Sequence, residues 1–237
     1  MSEDGEILGI ERRGLTKVRI EALADGIFAV AMTLLVLDIK LPDDLTFGSD
    51  RELWEHLLSL ERHLVIYVIT FVVTGRYWLA HHLQFHFVHA VDRRMIGLNL
   101  LFLLVVSFLP FVTDLVGDHK ELALPCIFYG ATLIVLNAVA LAHVRYLRRH
   151  PALVTAEFTP EIAWHFERRT LLFMIVPAAS MVIALVDTHA ALYIYALMAV
   201  GYLAGNPITD RVVHAAHDAQ RHEAAPTTIG EGSERYP

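Results

Sequence analysis

Three long runs of this chain contain no charged residue, and they constrain its fold more than any other feature. The runs cover residues 95–113, 122–142 and 190–209. Each approaches or exceeds the roughly 20 residues that an α-helix needs to cross a bilayer. Hydrophobic residues make up 55% of the whole chain, which is above the usual share in a soluble domain. We therefore expect an integral membrane protein rather than a soluble bundle of long buried helices.

Three further stretches are weaker candidates for membrane-crossing helices. Residues 19–38 contain Asp25, residues 57–90 are interrupted by Arg76 and several histidines, and residues 171–186 form a shorter run. Together with the three uncharged runs they predict six crossings. The expected fold is an all-α integral membrane protein with six transmembrane helices.

Lysine and arginine are distributed unevenly over the links between these six segments. They are concentrated in the N-terminal segment, the second and fourth links and the tail, and they are sparse elsewhere. Because basic residues are retained on the cytoplasmic side, we expect a multi-pass plasma-membrane protein with both termini in the cytoplasm. The predicted parts are a cytoplasmic N-terminal segment (residues 1–18), a membrane domain (19–206) and a cytoplasmic polar tail (207–237).

Two polar residues inside predicted spans have different interpretations. Asp25 lies in the first span, where an ionised carboxylate costs roughly 3 kcal/mol on insertion scales. Such a residue survives in a membrane where it faces a partner, a cavity or an ion path, so Asp25 indicates function. Asn137, alone in the fourth span, is expected to form a helix–helix hydrogen bond.

One face of the first span has the spacing of a pore lining. Four residues at i, i+3, i+4 and i+7 share one side of a helix: Val30, Thr33, Leu34 and Leu37. Most such stripes are packing seams, but this one lies between Asp25 and Asp38, and acidic residues at an outer mouth can attract cations. One helix cannot enclose a path, so a pore of this design requires several subunits around an axis.

Depth along the helices predicts a polar network around Asp25. Asp25 lies about 9 Å from Arg19 along the first span, and Asn99 lies at a similar depth in the third span. Arg19 and Asp25 are about 240° apart around the helix, so the partners of Asp25 should come from other helices. His81, His82 and Asn99 are the available groups. The alternative is that Arg19 lies among the headgroups and the histidines line a wet vestibule.

The histidines of the second span permit a rival interpretation. His82, His86 and His89 lie at i, i+4 and i+7, a pattern that resembles the histidine boxes of membrane di-iron oxidases. Such enzymes collect ligands from several boxes, whereas the other histidines of this chain are scattered singly. The sequence also contains no nucleophile elbow or phosphate-binding loop. We therefore expect no enzyme activity, no metal site and no other cofactor.

The first span begins with the motif Arg19-x-x-x-Leu23-Ala24-Asp25-Gly26. It is similar to the Arg-x-x-x-Phe-Ser-Asp-Gly motif of the transmembrane protein 175 family of potassium channels, with Leu23 and Ala24 in place of Phe and Ser. Further similar stretches follow: residues 28–40, 77–82, 91–94, 98–100 and 108–111. The resemblance covers about residues 19–114, and the remainder is similar only in hydropathy.

This resemblance implies six helices per chain and a homotetramer with the first helices at its centre. It implies a hydrophobic constriction formed by Val30, Leu34 and Leu37, with Thr33 as a polar layer. It also implies a stabilising polar network with the following members: Arg19, Asp25, Trp78, His81, His82 and Asn99.

The leading functional hypothesis is a potassium-permeable cation channel. Its expected partners are potassium ions, the lipid bilayer and further copies of the chain, with no role for nucleic acid. The alternative is a proton-coupled or other ion transporter that uses Asp25 and the nearby histidines as a relay. Transporters often have discontinuous helices or inverted repeats, which are not evident in this sequence. A histidine-ligated membrane metalloenzyme is the third hypothesis.

Overall fold

The computed structural model describes residues 3–39, 46–119 and 121–203. This part of the chain is all-helical, as the sequence predicts, apart from one antiparallel bridge between Val88 and Val154. Seven α-helices follow one another along it: α1 (Glu3–Leu34), α2 (Asp50–Ser59), α3 (Glu61–His86), α4 (Arg93–Asp118), α5 (Ala123–Arg149), α6 (Pro160–Ala184) and α7 (Thr188–Leu203). Short 3-10 turns follow α1 (Leu35–Asp38) and α5 (Pro151–Leu153). The predicted tail, residues 207–237, lies outside the described residues.

Four of the described helical stretches are both long and apolar enough to cross a membrane: Lys17–Leu37, Glu61–His86, Arg93–Asp118 and Ala123–Arg149. The other two predicted crossings coincide with α6 and α7. The first half of α6 contains charged residues, among them Glu167 and Arg168, which make it more polar than the other long helices. The described part of α7 has 16 residues, which is about 24 Å of helix. The chain is therefore a multi-pass membrane protein.

The first helix does not break where the sequence places a boundary. α1 begins at Glu3, so the predicted N-terminal segment and the first span belong to one continuous helix. The apolar, membrane-crossing part of this helix begins at Lys17, close to the predicted boundary at residue 19.

Helix caps and loop contacts fix one end of the bundle, which we call the inner end: the end where α3 finishes and α4 begins. Asp92 caps α4, since its Oδ1 accepts a hydrogen bond from the Met95 N–H at 2.8 Å. The Leu153 carbonyl accepts hydrogen bonds from the N–H groups of His89 (2.7 Å) and Ala90 (3.1 Å). The α3–α4 loop is thereby tied to the α5–α6 loop.

Hydrogen bonds between helices hold the bundle together within the membrane. Lipid tails are as apolar as leucine, so apolar burial alone does not drive the helices together, and close packing and interhelical hydrogen bonds do. The Asn137 amide of α5 donates to the Tyr77 hydroxyl of α3 at 2.6 Å, which confirms the helix–helix role predicted for Asn137. Thr70 of α3 is 3.0 Å from the Tyr129 hydroxyl of α5, and Thr113 of α4 donates to Thr70 at 3.1 Å.

Candidate functional site

The membrane-crossing part of α1 has one face buried in the bundle and one face exposed. On the buried face, Ala24 and Phe28 are each 1% exposed because α1 packs on α3 and α4. On the other face, Val30 is 56% exposed, Leu34 41% and Leu37 58%. The structure therefore leaves these three predicted pore residues uncovered by their own chain: Val30 and Leu34 on α1, and Leu37 in the 3-10 turn that follows it.

Thr33 lies on the same exposed face, and its hydroxyl is bonded to its own helix. The Oγ1 atom lies 3.0 Å from the Ala29 carbonyl oxygen and 2.9 Å from that of Val30, and donates its proton there. A hydroxyl has two acceptor lone pairs beside its single proton. The Thr33 oxygen therefore keeps acceptor capacity, which is the property a passing cation requires.

A shallow groove of about 360 Å³ runs along this face, between α1 and α4. Its lining residues are small or aliphatic apart from one serine: Ala22, Leu23, Gly26, Ile27, Val30, Ala31, Leu34 and Ser107. A Cβ atom added to Gly26 would meet no atom within 4 Å. The helix surface is therefore open at Gly26, one residue after Asp25.

Asp25 is exposed although it lies within the membrane-crossing part of α1. Its Oδ1 atom accepts a hydrogen bond from the Trp78 indole N–H of α3 at 2.8 Å. The Trp78 ring stacks on the His82 ring, with centroids 5.9 Å apart and planes inclined by 24°. Three members of the predicted network thus form a chain on the surface shared by α1 and α3.

His81 and Asn99 form a second, separate pair that is buried. His81 Nε2 lies 2.7 Å from Asn99 Oδ1, and the two residues are 5% and 1% exposed. Because the amide oxygen only accepts, His81 Nε2 is the donor. The imidazole ring stacks on Phe85 at 4.3 Å and on Phe102 at 5.4 Å. Two aromatic rings therefore flank the imidazole of this buried pair.

The remaining predicted site residues lie apart from both pairs. Arg19 is exposed near the inner end of the membrane-crossing stretch, and it makes no hydrogen bond or ion pair with another described residue. The backbone of Asp38 ends the 3-10 turn after α1, and the position of its side chain lies outside what the structure describes.

The histidine pattern of the second span does not persist as one helical face. α3 ends at His86, so His89 lies in the following loop, where its N–H bonds to the Leu153 carbonyl. Helical spacing therefore no longer relates His89 to His82. Within residues 3–39, 46–119 and 121–203, no group of three or more potential ligands is placed to hold a metal ion.

Sequence reasoning missed two polar clusters at the inner end. Glu167 of α6 forms an ion pair with Arg148 at 2.8 Å and lies 3.6 Å from Arg145, so it ties α6 to α5. The Tyr146 hydroxyl donates to the second oxygen of the α4 cap, Asp92. Glu167 and its arginines were visible only as flanking charges, and no spacing rule connects residues so far apart in sequence.

The Asp92 carboxyl is kept ionised by these contacts. Partial burial acts to raise its pKa, but hydrogen bonds from the Tyr146 hydroxyl and the Met95 N–H outweigh burial and hold the pKa below its usual range. A negative charge at this position also faces the positive end of the α4 dipole.

The fold and the site define a multi-pass helical membrane protein whose predicted site residues are concentrated on its first three membrane-crossing helices. Residues 19–110, which reach from α1 into α4, match the family model described as the endosomal/lysosomal potassium channel TMEM175. The resemblance indicated by the sequence motif is thereby confirmed, and residues 19–110 are similar to TMEM175.

Individual relatives and a solved structure agree with this family match. A potassium channel of Streptomyces collinus is 38% identical over 125 residues, which are 52% of this chain and 59% of that protein. The endosomal/lysosomal proton channel TMEM175 of Gallus gallus is 35% identical over 112 residues, 45% of this chain and 22% of that protein. Each match thus spans less than two thirds of the relative's length.

The fold similarity extends further than the sequence similarity. The crystal structure of a lysosomal potassium-selective channel TMEM175 homologue from Chamaesiphon minutus superimposes with a TM-score of 0.64 at 22% identity. The superposition covers 80% of this chain and 97% of that one. The later helices therefore share the fold of that homologue as well.

Proposed function

We propose that this chain forms a potassium-permeable cation channel in which the first helices of several copies line the ion path. The observation that carries this proposal is the exposure of Asp25 within a membrane-crossing helix. A carboxylate facing lipid would cost roughly 3 kcal/mol or more, so water or another protein chain must cover this surface. The family match and the potassium channel relative support the same function.

The ion path would have an apolar constriction. In a ring of first helices, the exposed side chains of Val30, Leu34 and Leu37 would face the axis, and the hydroxyl groups of Thr33 would form a polar layer among them. An apolar ring makes a cation shed part of its hydration, which costs the smaller and more tightly hydrated sodium ion more than potassium. Leucine offers no replacement ligands, so selectivity should be modest.

The assembly we propose is a homotetramer with closed rotational symmetry. Ala22 and Gly26 keep the inner part of the exposed α1 face small, and small residues let helices approach closely in a membrane. Arg19 and Asp25 are both exposed. Arg19 of one copy could therefore pair with Asp25 of a neighbouring copy, which would complete the predicted polar network between subunits.

The membrane topology we propose has six crossings, with α6 and α7 as the fifth and sixth and both termini in the cytoplasm of a plasma-membrane protein. Beyond its charged first half, α6 exposes apolar side chains suited to lipid: Leu171 (46%), Leu172 (50%), Ile175 (60%) and Val182 (66%). The basic residues at the junction of α5 and α6 favour a cytoplasmic inner end. Residues 1–18 and 207–237 would then flank the membrane domain, 19–206, on the cytoplasmic side.

Planar bilayers with potassium on one side and sodium on the other would test the channel proposal directly. We expect the purified protein to carry a current whose reversal potential is shifted from zero toward the potassium equilibrium potential. Leu34→Ala and Leu37→Ala should widen the constriction and move the reversal potential toward zero. Leu104→Ala is a matched control, because Leu104 is an exposed leucine (65%) on α4. Unchanged reversal potentials in both Leu34→Ala and Leu37→Ala would show that these two residues do not form the constriction.

Proton permeation or proton-coupled transport through the same residues is the second candidate function. The surface chain of Asp25, Trp78 and His82 contains two titratable groups at one membrane depth, and the Gallus gallus relative is described as a proton channel. Vesicles with a pH gradient and a trapped pH dye would separate the candidates. Proton flux that requires Asp25, without any potassium current, would favour the transporter.

A further inference from the structure

The short helix α2, between the first two membrane-crossing helices, has a defined beginning. Ser49 Oγ accepts a hydrogen bond from the Glu52 N–H at 3.3 Å, and the Glu52 carboxylate accepts one from the Gly48 N–H at 2.8 Å. This reciprocal arrangement closely follows a capping box. Arg51 and Glu55 add an i, i+4 ion pair at 2.9 Å. α2 is therefore a well-formed helix, although none of its residues is buried.

One side of α2 is apolar and uncovered. Trp54 is 62% exposed, Leu57 39% and Leu58 55%, and their spacing of three and four residues puts them on one side of the helix. Glu52, His56 and Ser59 lie on the opposite side of the helix, whereas Asp50 and Arg51, four and three residues before Trp54, lie on or beside the apolar side. An apolar side of this size on a helix of only 10 residues requires a partner.

The joint between α2 and α3 interrupts the α-helical period. Only Leu60 separates the two helices, and its backbone angles (φ −85°, ψ 4°) depart from α-helical values, with its N–H bonded to the Leu57 carbonyl three residues back at 3.2 Å. Beyond this joint, α3 exposes two apolar side chains near its own start, Val65 and Val68. Val65 is 44% exposed and Val68 53%. Since α3 crosses the membrane, its exposed valines face lipid or a neighbouring subunit.

The distance from α2 to the membrane is short in any orientation of the helix. Trp54 precedes the first residue of α3 by seven positions, which is at most about 10 Å along a helix. The headgroup layer on each side of a bilayer is roughly 5–8 Å deep, the difference between a 30 Å core and a 40–45 Å total. Trp54 therefore lies at or near this layer, where tryptophan is enriched in membrane proteins.

We propose that α2 is a membrane-surface helix, which inserts Trp54, Leu57 and Leu58 into the interfacial layer of the bilayer where α3 begins. Helices with one apolar and one charged side bind at this depth. The net negative charge of α2, with three carboxylates against one arginine, favours a zwitterionic over an anionic lipid surface. α2 would thereby anchor to lipid the segment that joins the end of α1 to the start of α3.

Spin labels on the two sides of α2 would test this proposal in the full chain. The variants are Leu58→Cys on the apolar side and His56→Cys on the opposite side, each reconstituted in phosphatidylcholine vesicles. Position 56 lies midway between positions 54 and 58 along the helix, so the comparison is matched in depth. The native Cys126 is 1% exposed, so the unsubstituted chain measures the labelling background. We expect the label at position 58 to collide several-fold more with oxygen, relative to a water-soluble nickel chelate, than the label at position 56. Trp54→Cys should behave like Leu58→Cys.

Two outcomes would overturn the proposal. Equal ratios of oxygen to nickel accessibility at positions 54, 56 and 58 would place α2 in water. Immobilised labels at positions 54 and 58, shielded from both reagents, would show that protein rather than lipid covers the apolar side. Neither outcome depends on which ion the protein conducts, so a failure here is distinguishable from a failure of the channel proposal.

Discussion

Two hydrogen-bonded pairs on neighbouring parts of α3 differ in how completely they are satisfied. His81 and Asn99 are sealed in the bundle, with the imidazole between Phe85 and Phe102. Asp25 and Trp78 meet at the surface, where the indole N–H donates to one oxygen of the carboxylate. An ionised carboxylate has about four acceptor sites. The first pair is complete within one chain, whereas the second has capacity for further partners.

Membrane depth alone does not distinguish the two pairs, but their difference in exposure indicates two different roles. The buried pair joins α3 to α4 inside one subunit, so its contribution should appear in subunit stability. The surface pair joins α1 to α3 and leaves a charge on the exposed side of the first helix. Its contribution should appear in assembly or conduction. Variants that act on one pair at a time can break or sharpen this distinction.

The largest effect on subunit stability is expected from Asn99→Ala. The change leaves the His81 N–H without a partner in a buried site, and we expect a loss of about 2 kcal/mol in the free energy of unfolding. Interhelical hydrogen bonds in membranes average nearer 0.6 kcal/mol, but His81 is only 5% exposed, so bulk water does not replace the lost acceptor. Unfolding of the purified subunit by SDS titration in mixed micelles would measure the loss.

A double variant supplies the control for this prediction. His81→Phe combined with Asn99→Leu leaves no polar group unpartnered, so it should recover much of the stability that Asn99→Ala loses. A double variant that is as unstable as the single one would show that the site depends on shape rather than on the hydrogen bond.

A smaller effect on subunit stability is expected from Trp78→Phe. This change removes the indole N–H that bonds to Asp25, but water can replace the donor at an exposed site. We expect a loss of about 0.5–1 kcal/mol in the same titration. Trp164→Phe is a matched control on α6, because Trp164 is 50% exposed and distant in sequence from the site. A loss at Trp78 that exceeds the loss for Asn99→Ala would contradict the distinction between the pairs.

The sequence predicted the helices well because apolar runs and basic flanks directly reflect the membrane environment. The stripe from Val30 to Leu37 is exposed, as a pore lining requires, and its role as a pore lining stays a prediction. Charge caused the main difference: α6 begins at Pro160, well before the predicted span at residue 171, and its early turns carry Glu167, whose partners Arg145 and Arg148 lie on α5. Hydropathy cannot show that such charges are paired within a helix bundle.

The single polar network predicted from depth appears as two pairs within one chain because depth does not define direction around a helix. Trp78 and His81 are three residues apart, a rotation of only about 60°, yet one lies at the surface and the other in the core. Which side of α3 faces the bundle depends on its packing against α4 and α7, and no local pattern specifies that packing. The capping of α2 was readable in Ser49 and Glu52, but the expected long span from residue 57 obscured a separate helix there.

The smallest effect on subunit stability, and the most informative one, is expected from Asp25→Asn. Asparagine retains an oxygen that can accept from Trp78, and the site is exposed, so unfolding of the subunit should change by about 0.5 kcal/mol or less. If neighbouring copies contribute a cation to Asp25, the same change should weaken the oligomer or reduce its current, because the charge is lost. Light scattering of the purified assembly and bilayer currents would measure both properties.

A destabilised subunit would assign Asp25 to the fold of one chain, like His81. A normal assembly with normal current would leave the exposed carboxylate without the intersubunit role proposed here. Loss of assembly with an intact subunit would establish that α1 carries its charge for a partner outside its own chain.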